Sequence, residues 1–285
     1  MHNVLVTGAN GQLGSELKDI SEKYSDRFVF HFVDRSGLNL SDANEVDKFL
    51  KEKKIQSIIN TAAYTAVDLA ESEKEKASEG NVLIPKLLAE LSFQHRIYLI
   101  HFSTDFVFDG NSSVPYKEED LKSPVSVYGK TKSEGEDFVL SSNPNATIVR
   151  TSWVYSKYGK NFLKTILKLS SERPELKVIF DQVGTPTWAN DLAGVCISFL
   201  LKPTPGIFHY SNEGVASWYD FAKEIVDISK NNSRVLPIET KDYPTPAKRP
   251  HYSLLNKSKI KTSLEISIPH WKDSLKECMK SLSGA

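Results

Sequence analysis

The sequence predicts an α/β fold, a doubly wound parallel sheet with a smaller C-terminal lobe. Through the first half, short apolar runs alternate with helical patterns, the rhythm of βαβ units. Those apolar runs are continuous rather than alternating, as strands covered by helices on both faces must be. The first strand also ends in a glycine-rich turn that opens the first helix.

The elements follow in order. NVLVTG (3–8) is the first strand, QLGSELKDISEKY (12–24) a helix and FVFHFVD (28–34) the second strand. SDANEVDKFLKEKK (41–54) is helical and SIINTA (57–62) is the third strand. EKEKASEGNVLIPKLLAELSFQ (73–94) reads mainly as helix, IYLIHFST (97–104) as strand, the segment around 127–140 as helix, and ATIVRTSWVY (146–155) as a further strand. Beyond residue 155 prolines loosen the rhythm, although helices at about 160–171, 188–201 and 217–229 and a short strand in GIFHYSN remain legible. Residues 1–155 are therefore expected to form the ligand-binding sheet domain. Residues 156–285 should form the smaller lobe, with some segments returning to the sheet.

Composition narrows the function. Thirty-six basic residues balance 36 acidic ones, which argues against nucleic acid or an anionic membrane as partner. Two cysteines, Cys196 and Cys278, make no disulfide framework and fall in no metal-ligand spacing. No apolar run approaches bilayer length, and Met1-His2-Asn3 runs straight into a strand without a signal core. A cytoplasmic location is the default expectation.

Gly8-Ala9-Asn10-Gly11-Gln12-Leu13-Gly14 lies between a strand and a helix. Glycines there permit a tight turn and close backbone approach to a pyrophosphate, which the free N–H groups and dipole of the helix N-terminus then favour. Asp34 ends the second strand twenty residues after Gly14, where an acid accepts from the adenine ribose hydroxyls. The whole is a Rossmann-type arrangement for NADH or NADPH. Asp34 favours NADH, while the neighbouring Arg35 suits the extra phosphate of NADPH.

Tyr128 and Lys132 stand four residues apart and share one face of a helix. A nearby ammonium stabilises a phenolate, so Lys132 is expected to lower the pKa of Tyr128 and make it a usable proton donor or acceptor near neutral pH. The segment HFSTDFVFDG (101–110) crowds Ser103, Thr104 and Asp105 where an apolar strand stops. By itself that is a strand giving way to a turn.

These motifs resemble the extended short-chain dehydrogenase/reductase family. The matching stretches are TGANGQLG (7–14), NTAAYTAVDLAE (60–71), STDFVFDG (103–110), YGKTKSEGE (128–136), RTSWVY (150–155), GKNF (159–162), DQVGTPTWANDLA (181–193) and PAKRPHYSLL (246–255). The AAYTAVD, RTSWVY and DQVGTPT stretches point to its nucleotide-sugar reductases. The resemblance implies an NAD(P)H-dependent enzyme that reduces the C4 ketone of a dTDP-linked 4-dehydro-6-deoxy sugar. It makes Tyr128 the proton donor, Lys132 the residue holding the nicotinamide ribose, and Thr104 the hydroxyl that polarises the carbonyl. It puts Gly8, Asn10, Gly11, Gln12, Leu13, Gly14, Asp34, Asn39, Leu40, Ala63, Tyr64, Thr65 and Phe102 on the cofactor, together with Tyr128 and Lys132. Thr104, Asp105, Tyr128 and Trp153 fall on the sugar. The implied partner is a small nucleotide-sugar substrate, and a homodimer is compatible with the resemblance.

Other readings are weighed on residues. Dehydratases on this fold carry an acid directly after the aspartate of the STD-like motif, and here that position is Phe106. A regulatory role like that of the methionine adenosyltransferase β subunit would not need Thr104, Tyr128 and Lys132 together. Arg249, in a proline-bounded loop, suits a diphosphate or solvent equally. His31, His95, His101, His209, His251 and His270 show no zinc spacing, and Glu16 with Asp191 does not suffice for a metal site, so none is assigned.

Overall fold

The computed structural model describes residues 1–282; residues 283–285, the end of the expected second lobe, lie outside the described residues. Five strands come from the first half: β1 (His2–Thr7), β2 (Phe28–Val33), β3 (Ser57–Asn60), β4 (Tyr98–Thr104) and β5 (Thr147–Thr151). A sixth, Gly206–His209, pairs in parallel with Thr147–Arg150 of β5. The sheet runs Gly206–His209, β5, β4, β3, β1, β2, and every pairing is parallel. Strand order reverses between β1 and β3, and the crevice at such a switch point is where open α/β sheets take ligands.

The continuous apolar runs divide between two cores. On one face Val4, Val6, Ile59 and Ile100 pack with Leu13 and Leu17 of α1 (Gln12–Ser21) and with Leu192, Cys196 and Phe199 of helix Ala189–Leu201. On the other face lie Leu5, Ile58 and Leu99. They meet Val46 and Leu50 of α2 (Ala43–Glu52) and, after two short helices α3 (Val67–Ala70) and α4 (Lys74–Ser78) that stand outside this core, Leu88 and Ala89 of α5 (Ile84–Gln94) and Val139 of α6 (Val127–Ser142). Burying each such side chain contributes about 1.5–3 kcal/mol, so neither face tolerates a polar strand residue without a partner. A third core, around Phe221, Trp271 and Leu275, joins helices Phe162–Glu172, Trp218–Ser229 and Trp271–Leu282 to the parallel pair Glu175–Ile179 and Arg234–Ile238.

Two elements differ from the sequence expectation. The run 146–155 is not one strand: β5 stops at Thr151, and Val154–Tyr155 pairs instead with Thr187–Trp188. Trp153 takes a left-handed φ of 48°, and the break is held by Ser152 Oγ donating to the Thr185 carbonyl and Thr187 N–H donating to the Trp153 carbonyl. Within 73–94, Glu79–Leu83 forms a π-helical turn between α4 and α5. Such turns are frequent at functional sites.

The helix α6 is pinned by a buried ion pair. Arg150 of β5 donates from Nε and Nη2 to both oxygens of Glu136, at 2.9 and 2.8 Å, and from Nη1 to the Glu118 carbonyl. Glu136 is fully buried and Arg150 nearly so. Arg150→Met alone is expected to cost up to about 3–5 kcal/mol in urea unfolding, because buried Glu136 loses its two-pronged partner and keeps only the longer ion pair to Lys122, at 3.5 Å. Adding Glu136→Leu should recover most of that loss. A single variant as stable as the wild type contradicts this reading of α6.

Candidate active site

The carboxyl ends of the strands open into one cleft of about 1570 Å³. Pockets for one ligand run about 300–1,000 Å³, so this cleft has room for two side by side. It is lined by the expected cofactor and sugar residues with one exception: Gly14 lies under the turn, where a Cβ would come within 2.4 Å of the Gly8 carbonyl. That glycine lets α1 pack closely on the turn at Gly8-Ala9.

At one end β1 passes into the turn at Gly8, whose φ of +66° and closeness to the Ala62 N–H exclude a side chain. No side chain caps α1, so its first N–H groups keep their capacity for an anion. This cradle fits a dinucleotide pyrophosphate. Asn39 and Leu40 line the same end, as do Ala63, Tyr64 and Thr65 after β3. The Tyr64 hydroxyl donates to Glu73 at 2.6 Å, and that bond pushes its pKa up to about 12.

Asn81, which sequence reasoning missed, explains the π-helical turn. Its side chain accepts from the Tyr64 N–H at 2.9 Å and donates to the Tyr64 carbonyl and to Thr131 Oγ1, both at 3.1 Å. It thus ties the loop after β3 to α6. The only sequence signal is Gly80-Asn81 inside a helical pattern, with Gly80 set against Tyr64.

The chemical groups gather where β4 meets α6. Thr104 ends β4, and its Oγ1 accepts from the Phe106 N–H and donates to Asp105 Oδ1 at 3.0 Å. The start of α6, capped by Ser126, rests on this turn so closely that a Cβ on Gly129 would sit 2.3 Å from the Phe106 carbonyl. That contact brings Tyr128 beside Thr104, with the Phe106 ring edge-on to the phenol at 5.5 Å. One turn on, Lys132 Nζ donates to the Phe102 carbonyl at 2.6 Å.

The expected lowering of the Tyr128 pKa by Lys132 is not found. Burial pushes Tyr128 up to about 12; the Thr104 hydroxyl works against this and the Asp105 charge with it. Lys132 is itself pushed down to about 8 by burial, opposed by Glu136, and its ammonium is directed to Phe102. At neutral pH Tyr128 is therefore a phenol, the form that donates a proton. Asp105 is only 2 % exposed, its Oδ2 has no hydrogen-bond partner, and burial pushes it up to about 6.

Trp153 lines the cleft with its ring stacked on Trp218, 3.6 Å between centroids and 7° from parallel. Arg249 is partly buried and forms a two-pronged ion pair with Asp68, and its Nη1 also donates to Thr245 Oγ1. Among the described residues no three His, Cys, Asp or Glu side chains converge as metal ligands. Glu16 instead accepts from Ser156 and Asn190, while Asp191 accepts from Asn212 and Ser274. The buried His101 and His209 are both pushed well toward the neutral form by burial. Among the described residues no helix is long and apolar enough to cross a membrane.

Fold and site together define a cleft of the dinucleotide-binding kind, with a buried phenol and a threonine hydroxyl side by side in it. The chain belongs to the family described as the RmlD substrate binding domain, whose profile matches residues 1–283. It is 41% identical to a dTDP-4-dehydrorhamnose reductase of Aggregatibacter actinomycetemcomitans, over 97% of this chain and 98% of that one. A crystal structure of a dTDP-4-dehydrorhamnose reductase from Clostridium acetobutylicum superposes with a TM-score of 0.94 at 41% identity, covering 99% of each chain. Another, from Bacillus anthracis in complex with NADP, superposes with a TM-score of 0.95 at 34% identity, covering 98% of this chain and 99% of that one.

Asp105 gives the site a pH signature. The folded chain holds its proton up to about pH 6, whereas an ordinary aspartate releases it near 3.8. Between those values the native state binds more protons than the unfolded one, so this group's contribution to stability falls as pH rises. Asp105→Asn is expected to be more stable than the wild type at pH 7, by up to ~3 kcal/mol. That gain should vanish below about pH 4. A gain independent of pH, measured by urea unfolding across this range, would contradict a buried, ionised Asp105.

Proposed function

We propose that the chain reduces the C4 ketone of dTDP-4-dehydro-6-deoxy-L-mannose, that is dTDP-4-dehydrorhamnose, to dTDP-L-rhamnose for surface polysaccharide synthesis. The observation that carries this reading is the meeting of Thr104 and the protonated phenol of Tyr128 on the floor of a cleft large enough for two ligands. Bound NADH or NADPH supplies the hydride. Thr104 donates to the ketone oxygen, and Tyr128 delivers its proton to the alkoxide as charge develops there. Lys132, fixed on the Phe102 carbonyl, keeps a positive charge beneath the nicotinamide ribose. Asp105 and Trp153 face the sugar, and Arg249, oriented by Asp68, offers a guanidinium to the diphosphate. In this reading residues 1–155 carry the cofactor and the proton chemistry, and residues 156–285 supply the substrate lobe. From that lobe, helix Ala189–Leu201 and strand Gly206–His209 complete the sheet layer. Phe106, packed against Tyr128, leaves no acid where a dehydratase needs one.

Oxidation of NADPH or NADH on addition of the enzymatically generated 4-keto sugar tests the proposal. Tyr128→Phe should lower kcat by about two decades or more and leave dinucleotide affinity nearly intact. Thr104→Val keeps the strand-end shape but removes the donor, and should lower kcat and kcat/KM together by about 10–100-fold, with Thr104→Ser recovering much of the loss. Near-normal turnover by Tyr128→Phe rejects the assigned proton donor. A Thr104→Val variant that loses thermal stability yet keeps its turnover makes that hydroxyl structural.

A further inference from the structure

None of residues 181–187, the DQVGTPT stretch, lines the cleft, yet the stretch supports two tryptophans that do, Trp153 and Trp218. Its strand Val183–Gly184 pairs antiparallel with Ala216–Ser217, the last residues before helix Trp218–Ser229. Ser217 and Asp220 close a reciprocal cap on that helix, which fixes where Trp218 leaves the backbone. The Trp218 Nε1–H donates to Gln182 Oε1 at 3.2 Å, and Gln182 Nε2 donates to Thr240 Oγ1 at 3.1 Å. The Thr240 hydroxyl donates in turn to Asp181 Oδ1 at 2.6 Å. Gln182 is buried, and an indole N–H only donates, so the amide oxygen must face Trp218.

Trp218 passes this order on to Trp153. Two free aromatic rings prefer an offset or edge-on arrangement with centroids about 4.5–7 Å apart. The stack of Trp153 on Trp218, at 3.6 Å between centroids, is closer and more nearly face to face than that, so the surroundings impose it. Gly184 supplies part of the constraint: a Cβ there would come within 2.8 Å of Trp153 Cε2 and 2.9 Å of Cζ2. With Trp218 over one face and the Gly184 backbone against these two atoms, the Trp153 indole is held in one orientation. Its Nε1–H, unlike that of Trp218, has no partner among the described residues.

We propose that Trp218 and Gln182 are positioning residues for the sugar: acting through Trp153, they hold one N–H donor at a fixed place in the cleft and so decide how the hexose sits for proton transfer. The donor suits a hydroxyl oxygen of the hexose ring, since an indole N–H has only an acceptor to seek. Removing the Trp218 ring frees the Trp153 ring to turn, which loosens the hexose and leaves the nucleotide half of the ligand as it was. The inference rests on the proposed reduction of a nucleotide-linked hexose.

Two stacked indoles give an exciton couplet in far-ultraviolet circular dichroism, so the pair is read in solution apart from any activity. The wild-type chain should show the couplet and Trp218→Leu should lack it. By titration calorimetry Trp218→Leu should weaken dTDP-L-rhamnose by about 10-fold or more, and leave dTDP and NADPH within about 3-fold. In turnover of the 4-keto sugar its KM should rise more than its kcat falls. Trp218→Phe should restore much of the hexose affinity. Gln182→Met keeps the Trp218 ring and removes its hydrogen bond, so it tests the proposal even where Trp218→Leu unfolds. It should weaken dTDP-L-rhamnose by about 3–10-fold with dTDP again unchanged. A wild type without the couplet overturns the inference, as do variants that bind the hexose like the wild type. Variants that weaken dTDP and dTDP-L-rhamnose alike make the pair a structural prop and overturn it too. Failure of the reductase reading shows in the wild type instead, as no oxidation of NADPH with the 4-keto sugar, and takes the inference with it.

Discussion

An ammonium placed in the interior of a protein must find an acceptor or lose its charge, and Lys132 meets that demand on the carbonyl of Phe102. The rest of the site depends on this bond. It fastens α6 to the end of β4 within one turn of Tyr128 and two residues of Thr104, so the phenol and the hydroxyl face the same small volume. Glu136, one turn further along α6, is clamped by Arg150 of β5. The helix is therefore fixed to two adjacent strands by buried charge, and its position along the sheet is set by geometry that hydrophobic packing alone would leave free to slide.

The site also holds groups that folding alone disfavours. Asp105 is buried with an unpartnered oxygen, and Tyr128 is buried with its pKa far above that of a free phenol. Trp153 adopts a backbone conformation uncommon for a bulky residue. All three lie along the cleft, where strain and unsatisfied polar atoms concentrate when a ligand is meant to complete the structure. The two apolar cores on either face of the sheet supply the stability that offsets them.

Much of this was legible in the chain. The alternation of apolar runs and helical patterns marks the first five sheet strands and the short run in GIFHYSN the sixth, and the glycine turn, Asp34, STD and the Tyr128/Lys132 spacing locate the cleft, because each reflects a local rule. What escaped the sequence depends on contacts between distant segments. The run through RTSWVY looks like one strand because its residues are all good strand formers, yet Ser152 and Trp153 bond to residues more than thirty positions away and break it. Asn81 is an ordinary polar residue until the fold sets it between Tyr64 and Thr131. The Tyr128 pKa went the other way because proximity on a helix face says nothing about burial, and burial is the larger effect here.

The central claim is that hydride from a dinucleotide and a proton from Tyr128 add across one ketone in this cleft. Incubation with the dTDP-4-keto sugar and NADPH deuterated at the transferring position tests it most directly, with the product read by NMR. The account predicts one deuterium, on C4 of the sugar, and none there when the deuterium is supplied only by the solvent. A product with deuterium drawn from solvent at C3 or C5 and none at C4 would contradict it and point to epimerisation or elimination instead.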